Sequence, residues 1–375
     1  MPSSSLNFLV GNLYVCSACI FMLWFIIYLN HRHLFNHGGK TGTGYIVLWC
    51  VFTLYSVFYC PPGGDNFNAL NTYNSYFIGV KWEYLHYEKI HFKIMDMAPW
   101  GYFSWRFLLW GIMGATAFIF LCKSLRLDKH LATIACCTFA LPVLFYYQRA
   151  AVGYSLLYIS IVYLVLWYQN KSTKLLAISI LSLLSALPFH NAMIFYVVVA
   201  YFSLICPLNN KTLFLLLIGA IFINFTLLET ITYFLEQTSQ DTTKTAMWYV
   251  EENEVRSSNF WGMLNNILSK GPIFLMVLYC LTKYLKFPAK FTIFEKTFLL
   301  NVIILLVFST LLSSTSYAIS AKFEKMAYLP LTLFFASYFK RYRNSKACKI
   351  FVFSLLGSII IIQGFYIIRG VFWFE

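Results

Sequence analysis

Long apolar runs broken by short polar turns set the rhythm of this chain from end to end. A helix crosses hydrocarbon in about 20 residues at roughly 1.5 Å each. On that measure the runs predict about twelve spans, at 6–29, 43–60, 105–122, 131–147, 150–168, 175–188, 190–206, 213–235, 264–281, 297–314, 326–339 and 350–368. Two intervening stretches are long, 60–104 and 236–262. The pattern predicts an all-α polytopic membrane protein, a single integral-membrane domain over 1–375, without internal repeat or low-complexity tract.

Composition agrees. With 60% hydrophobic residues, 11% charge and a mean hydropathy of +0.68, a soluble domain has nowhere to put its apolar surface. The opening MPSSSLNFLVGN has no basic stretch and no small-x-small site after it, so the first span is expected to be retained. The ten cysteines fall mostly inside spans and read as small buried apolar residues.

Charge then orients the chain. With the N-terminus outside, the inner turns around 32–40, 123–129, 171–174, 211, 283–296 and 340–349 hold 17 of the 28 lysines and arginines against two acids, Asp128 and Glu295. The net +14 divides into +15 inside and −1 outside, a topology signal and not a nucleic-acid footprint. A single helix over Lys174–Cys206, kinked at Pro188, would flip everything downstream and put the two richest basic turns outside. The charge rule favours two spans there.

The outer stretches carry the chemistry. After span two, PPGGDNFNALNTYNSYF breaks the helix and presents Asp65 just beyond the membrane. VKWEYLHYEKIHFKIMDMAPWGYFSW follows, mixed in charge and dense in aromatics. It suits an amphipathic segment lying in the interface, and equally a surface for stacking sugar rings. Glu83, His86, Glu88 and His91 fall near helical spacing, but metal ligation is the weaker reading. His31, His33 and His37 have no acidic or cysteine partner and read as a solvated inner turn. Gly39-Lys40-Thr41 lacks the first glycine of a phosphate loop, Leu34 standing there.

Within Phe139–Val199, Arg149 and His190 stand at opposite ends of two runs joined by the turn QNKSTK, so antiparallel crossings return both to one membrane face. An arginine at the edge of hydrocarbon is costly unless it borders a wet or anionic cavity. Lys322 and Lys325, after the small hydroxyl residues of SSTSYAIS, fall on that same face, as do Asp65 and Asp96; Asp96 reads as structural. Cations beside lipid fit a lipid-linked phosphate or pyrophosphate, each charge-assisted contact contributing roughly 1.5–3 kcal/mol. No D-x-D occurs, which disfavours a metal-dependent nucleotide-sugar site. A transfer at the outer face draws on an activated lipid carrier. It needs cations for the departing diphosphate, Arg149 with Lys322 or Lys325, and a base for the acceptor hydroxyl, Asp65 or His190.

Four features resemble the EpsG-like branch of bacterial Wzy-type polymerases: Gly64-Asp65 with tyrosines after it, Ala98-Pro-Trp-Gly-Tyr102 before span three, Arg149-Ala150 opening a span, and Phe189-His190-Asn191 about forty residues on. The resemblance covers 60–205 and departs from the family at Ala98, where an acid is usual, and at Lys322 or Lys325, where an arginine is common. It implies a GT-C-like helical glycosyltransferase of the bacterial inner membrane, working at the periplasmic face without metal or cofactor. Its donor and acceptor are undecaprenyl pyrophosphate-linked oligosaccharides, and its partners are membrane lipids, a chain-length regulator and a repeat-unit flippase. The product would be O-antigen or exopolysaccharide. The alternatives are a lipid-linked oligosaccharide flippase, an O-antigen ligase and a lipid-phosphate-sugar glycosyltransferase. Flippases favour ionisable groups at mid-membrane and pseudo-repeat halves, and neither is evident in the sequence.

Overall fold

The structure is a computed structural model that describes residues 65–79, 88–127, 151–190, 193–222, 260–312 and 317–342. Arg149 and the predicted spans at 6–29, 43–60, 131–147 and 350–368 lie outside them, as does most of 236–262. The described residues are helical, with no strand among them. In chain order the helices are α1 (Asp65–Ile78), α2 (Lys89–Asp96), α3 (Tyr102–Ser124), α4 (Ala151–Asn170), α5 (Thr173–Ala186), α6 (Met193–Ile205), α7 (Asn210–Phe222), α8 (Phe260–Lys286), α9 (Ile293–Leu312) and α10 (Tyr317–Tyr342). Among the described residues, three stretches are long and apolar enough to cross a membrane: Tyr102–Ser124, Val152–Asn170 and Ile293–Leu311. The chain divides into two compact units, Met1–Tyr201 with Thr332–Glu375, and Phe202–Leu331.

In the first unit, α4 and α5 form a tight antiparallel hairpin. Its turn is the polar QNKSTK, where Lys171 adopts a left-handed φ of 54° and its N–H bonds the Trp167 carbonyl at 2.6 Å. This closes α4 in the way a glycine usually does. The Lys171 ammonium folds back over the Tyr168 ring, 4.2 Å from its centroid.

Pro188 sits in a short 3-10 turn, Leu187–Phe189, and His190 after it is extended (φ −161°, ψ 135°). Proline has no N–H to extend the ladder, and the helix stops. The new helix returns beside α4. A Cβ on Gly153 would meet Met193, the Tyr154 and Tyr196 rings lie 5.0 Å apart, and the Ser160 and Tyr201 hydroxyls lie 2.7 Å apart. Contacts that climb both helices together make α6 parallel to α4 and antiparallel to α5. Lys174–Cys206 is therefore two helices, not one kinked helix.

A hydroxyl seam joins the three. Ser179 donates to the Ser160 carbonyl at 2.8 Å, and the Ser160 hydroxyl lies 3.2 Å from Ser179 Oγ and 2.7 Å from Tyr201 Oη. With the Ser179 proton committed, the inventory closes one way: Tyr201 donates to Ser160, and Ser160 to Ser179.

Helix α3 starts beside the same end and packs Phe120 flat on Tyr163 (5.8 Å), near the far end of α4. It is α-helical at both ends and a π-helix over Phe107–Gly114. It terminates with Arg126 at φ 51°, the Arg126 N–H on the Lys123 carbonyl (3.0 Å), the Leu127 N–H on Cys122 (3.1 Å), and Leu127 buried. That is a Schellman ending. Lys340 of α10 donates to the Arg126 carbonyl at 3.1 Å, so two of the predicted inner turns meet.

In the second unit, Thr292 and Glu295 open α9 with reciprocal bonds. The Thr292 N–H reaches Glu295 Oε2 (2.8 Å), and the Glu295 N–H reaches Thr292 Oγ1 (3.2 Å), a capping box. The next residue, Lys296, donates to the carbonyls of Ser203 (2.9 Å), Leu204 (2.9 Å) and Cys206 (2.7 Å) at the end of α6. One ammonium thus satisfies three acceptors that a helix terminus leaves open.

Candidate functional site at one end of the first unit

Asp65 is the first residue of α1. The segment read as a loop after Gly64 is thus helical to Ile78. Its asparagine-rich sequence has little intrinsic preference for helix. Burial of Thr72, Tyr73 and Ser75 holds it in place.

Tyr73 and Tyr76, the tyrosines after Asp65, fasten the next stretch. Tyr73 donates to the Ala98 carbonyl (2.7 Å) and accepts the Gly101 N–H (3.0 Å). Ser104 shares its proton between the carbonyls of Ala98 (2.9 Å) and Gly101 (2.7 Å). Gly101 takes φ +117°, which a side chain resists. Tyr76 donates to Asp96 Oδ1 at 2.7 Å, the structural role expected of that acid. The result is a rigid Ala98–Tyr102 loop that carries Trp100 at 84% exposure beside the exposed Met97 and Phe103.

Helix α2 is amphipathic as the sequence predicts: His91, Ile94 and Met95 are buried, Lys89 and Lys93 exposed. His91 is fully buried, its Nε2 3.0 Å from the Phe189 carbonyl oxygen and 3.7 Å from Glu88 Oε2. The carbonyl can only accept, so Nε2 carries the proton. The His91 ring meets Trp105 and Phe189 edge-on at 6.3 and 6.2 Å. Among the described residues no three histidines, cysteines or acids gather as metal ligands.

His190 follows directly, half-buried, with its carbonyl accepting the Met193 N–H at 2.9 Å to open α6. It lies at the end where α4 begins, since Gly153 abuts Ala186 and Phe189. Lys322 and Lys325 fall within α10, in the second unit. That helix starts at Tyr317, nine residues before the predicted span, because AISAKFEKMAY is rich in helix formers.

Sequence reasoning missed Arg106. It is fully buried in the first turn of α3, donating to Tyr102 Oη at 3.3 Å with its guanidinium 5.5 Å from the Tyr102 ring centroid. The rule that singled out Arg149, an arginine at the edge of an apolar run, applies to Arg106 equally. Beside it Trp105 is fully buried, and its Nε1 has no hydrogen-bond partner among the described residues. One end of the unit therefore combines a half-buried imidazole, a buried guanidinium and a fixed, exposed aromatic loop. It offers proton transfer next to a surface suited to an amphiphile.

Compared with models of known families, with characterised proteins and with solved structures, the chain matches none. Fold and site define it as a helical protein with apolar helices of membrane-crossing length.

Proposed function

We propose that the chain is a Wzy-type glycosyltransferase of the bacterial inner membrane, a GT-C-like helical protein of about twelve spans with two larger periplasmic loops. It joins undecaprenyl pyrophosphate-linked repeat units into O-antigen or exopolysaccharide. The observation that carries the reading is the placement of His190, half-buried at the helix end where α2 and the Trp100 loop converge. An acceptor sugar hydroxyl attacks the anomeric carbon of the donor, and the bond to the lipid diphosphate breaks. The hydroxyl proton passes to His190 or Asp65, and the diphosphate leaves with its charge held by Arg149 and by Lys322 or Lys325. Base and cations suffice for such a displacement, because the diphosphate is already a good leaving group.

A carrier that flips lipid-linked glycan would place its ionisable groups at mid-membrane. His91, Arg106 and His190 gather instead at one helix end, and the seam farther along α4 is built of hydroxyls. In cells, Arg149→Ala should leave the protein inserted and yield surface glycan of single-repeat length. Ladders of normal length would remove the diphosphate role assigned to Arg149.

A further inference from the structure

The peptide groups on both sides of the His190 Cα are pinned. The Phe189–His190 peptide is gripped through its carbonyl by His91 Nε2 at 3.0 Å. The peptide after His190 is gripped through the His190 carbonyl by the Met193 N–H at 2.9 Å. The second grip is ordinary helix initiation. The first comes from 98 residues away, out of a different helix, and is fully buried. After Pro188 the chain has left the helical ladder, so without an outside donor the Phe189 carbonyl would stand open at a helix end. Together the two bonds restrain the backbone on both sides of the His190 Cα.

We infer that His91 is a positioning residue for His190, acting through the Phe189 carbonyl; this rests on the reading of His190 as the acid–base group. The imidazole Nε2–H sets the direction in which His190 leaves the α5–α6 turn. The Trp105 and Phe189 rings hold the His91 ring edge-on. Misplacing an acid–base group by about 1 Å can cost on the order of a hundredfold in rate. His91 therefore affects elongation without touching sugar or diphosphate.

The test uses full-length protein carrying isotope-labelled histidine, reconstituted in lipid nanodiscs and read by imidazole NMR. The chain has seven histidines, and the His190 signals are those lost in His190→Ala. His91→Phe keeps a ring and removes the donor; His91→Gln supplies an amide N–H near the position of Nε2. The phenylalanine variant should shift and broaden the His190 signals and lower glycan elongation in cells about ten- to a hundredfold. The glutamine variant should restore most of both. If the phenylalanine variant does not insert, His91→Leu takes its place. His190 signals unmoved by loss of the donor, or moved equally by glutamine, overturn the proposal. Normal glycan ladders from His190→Ala would instead overturn the glycosyl-transfer reading, and the spectra would still decide the role of His91.

Discussion

Tyr73 donates its phenolic proton to the carbonyl of Ala98 at 2.7 Å and takes the Gly101 N–H on the same oxygen at 3.0 Å. One hydroxyl thus bridges the two ends of the turn that displays Trp100. Tyr73→Phe removes the bridge and leaves the ring contacts with Tyr102 and Trp105 (both 6.2 Å) in place. Thermal unfolding in detergent should register a loss of about 1–2 kcal/mol. A spin label at Trp100→Cys should become more mobile when combined with Tyr73→Phe, and an unchanged spectrum would mean the loop is held by other means.

Gly153 lies at a close approach of α4 to the α5–α6 turn. A Cβ there would lie 2.6 Å from Met193 Cε, 3.0 Å from the Ala186 carbonyl oxygen and 3.1 Å from Phe189 Cβ. The methionine tip can bend away; the carbonyl cannot. Gly153→Ala should cost about 1–3 kcal/mol. Met193→Ala in the same chain should recover part of that loss, so a double-mutant cycle should show coupling of at least about 0.5 kcal/mol.

Lys296 closes the end of α6 with three hydrogen bonds. Lys296→Met keeps the stem and deletes the charge. Stability should fall by roughly 2 kcal/mol, and hydrogen exchange should speed up at the end of α6 and leave α9 beyond its first turn unchanged. Uniform acceleration along both helices would point to global damage instead of a lost cap.

Arg126 holds a left-handed φ of 51° at the end of α3 and is exposed. Its carbonyl, not its side chain, receives Lys340. Arg126→Gly relieves the Cβ strain and keeps that bond, so the melting midpoint should rise by an amount equivalent to about 1 kcal/mol. A fall would show that the guanidinium itself contributes to this turn.

The apolar runs made α3, α4 and α9 legible, because a helix long enough to cross hydrocarbon needs little beyond sustained hydropathy. The runs at 175–188 and 190–206 were legible as helices, α5 and α6, which are shorter than a full crossing. The break at Pro188 was legible for a different reason: charge placement favoured two helices, and proline removed the donor one helix would need. What stayed hidden were the elements that tertiary packing stabilises against local preference. Asn-rich α1 reads as a loop until Tyr73 finds Ala98. Arg106 reads as an edge residue until Tyr102 covers it. His91 was legible as part of an amphipathic helix, yet its partner lies 98 residues on, and no spacing rule predicts that distance.

The Tyr201, Ser160 and Ser179 hydroxyls form a closed chain in which each proton already has its acceptor. Sliding any one of these helices past its neighbours by a single turn, about 5.4 Å, would break bonds of this chain. A piston stroke through this bundle is thus strongly opposed. With the Trp100 turn held by Tyr73 and the Phe189–His190 corner held by His91, movement in these elements is left to side chains while the shafts beneath them stay in register.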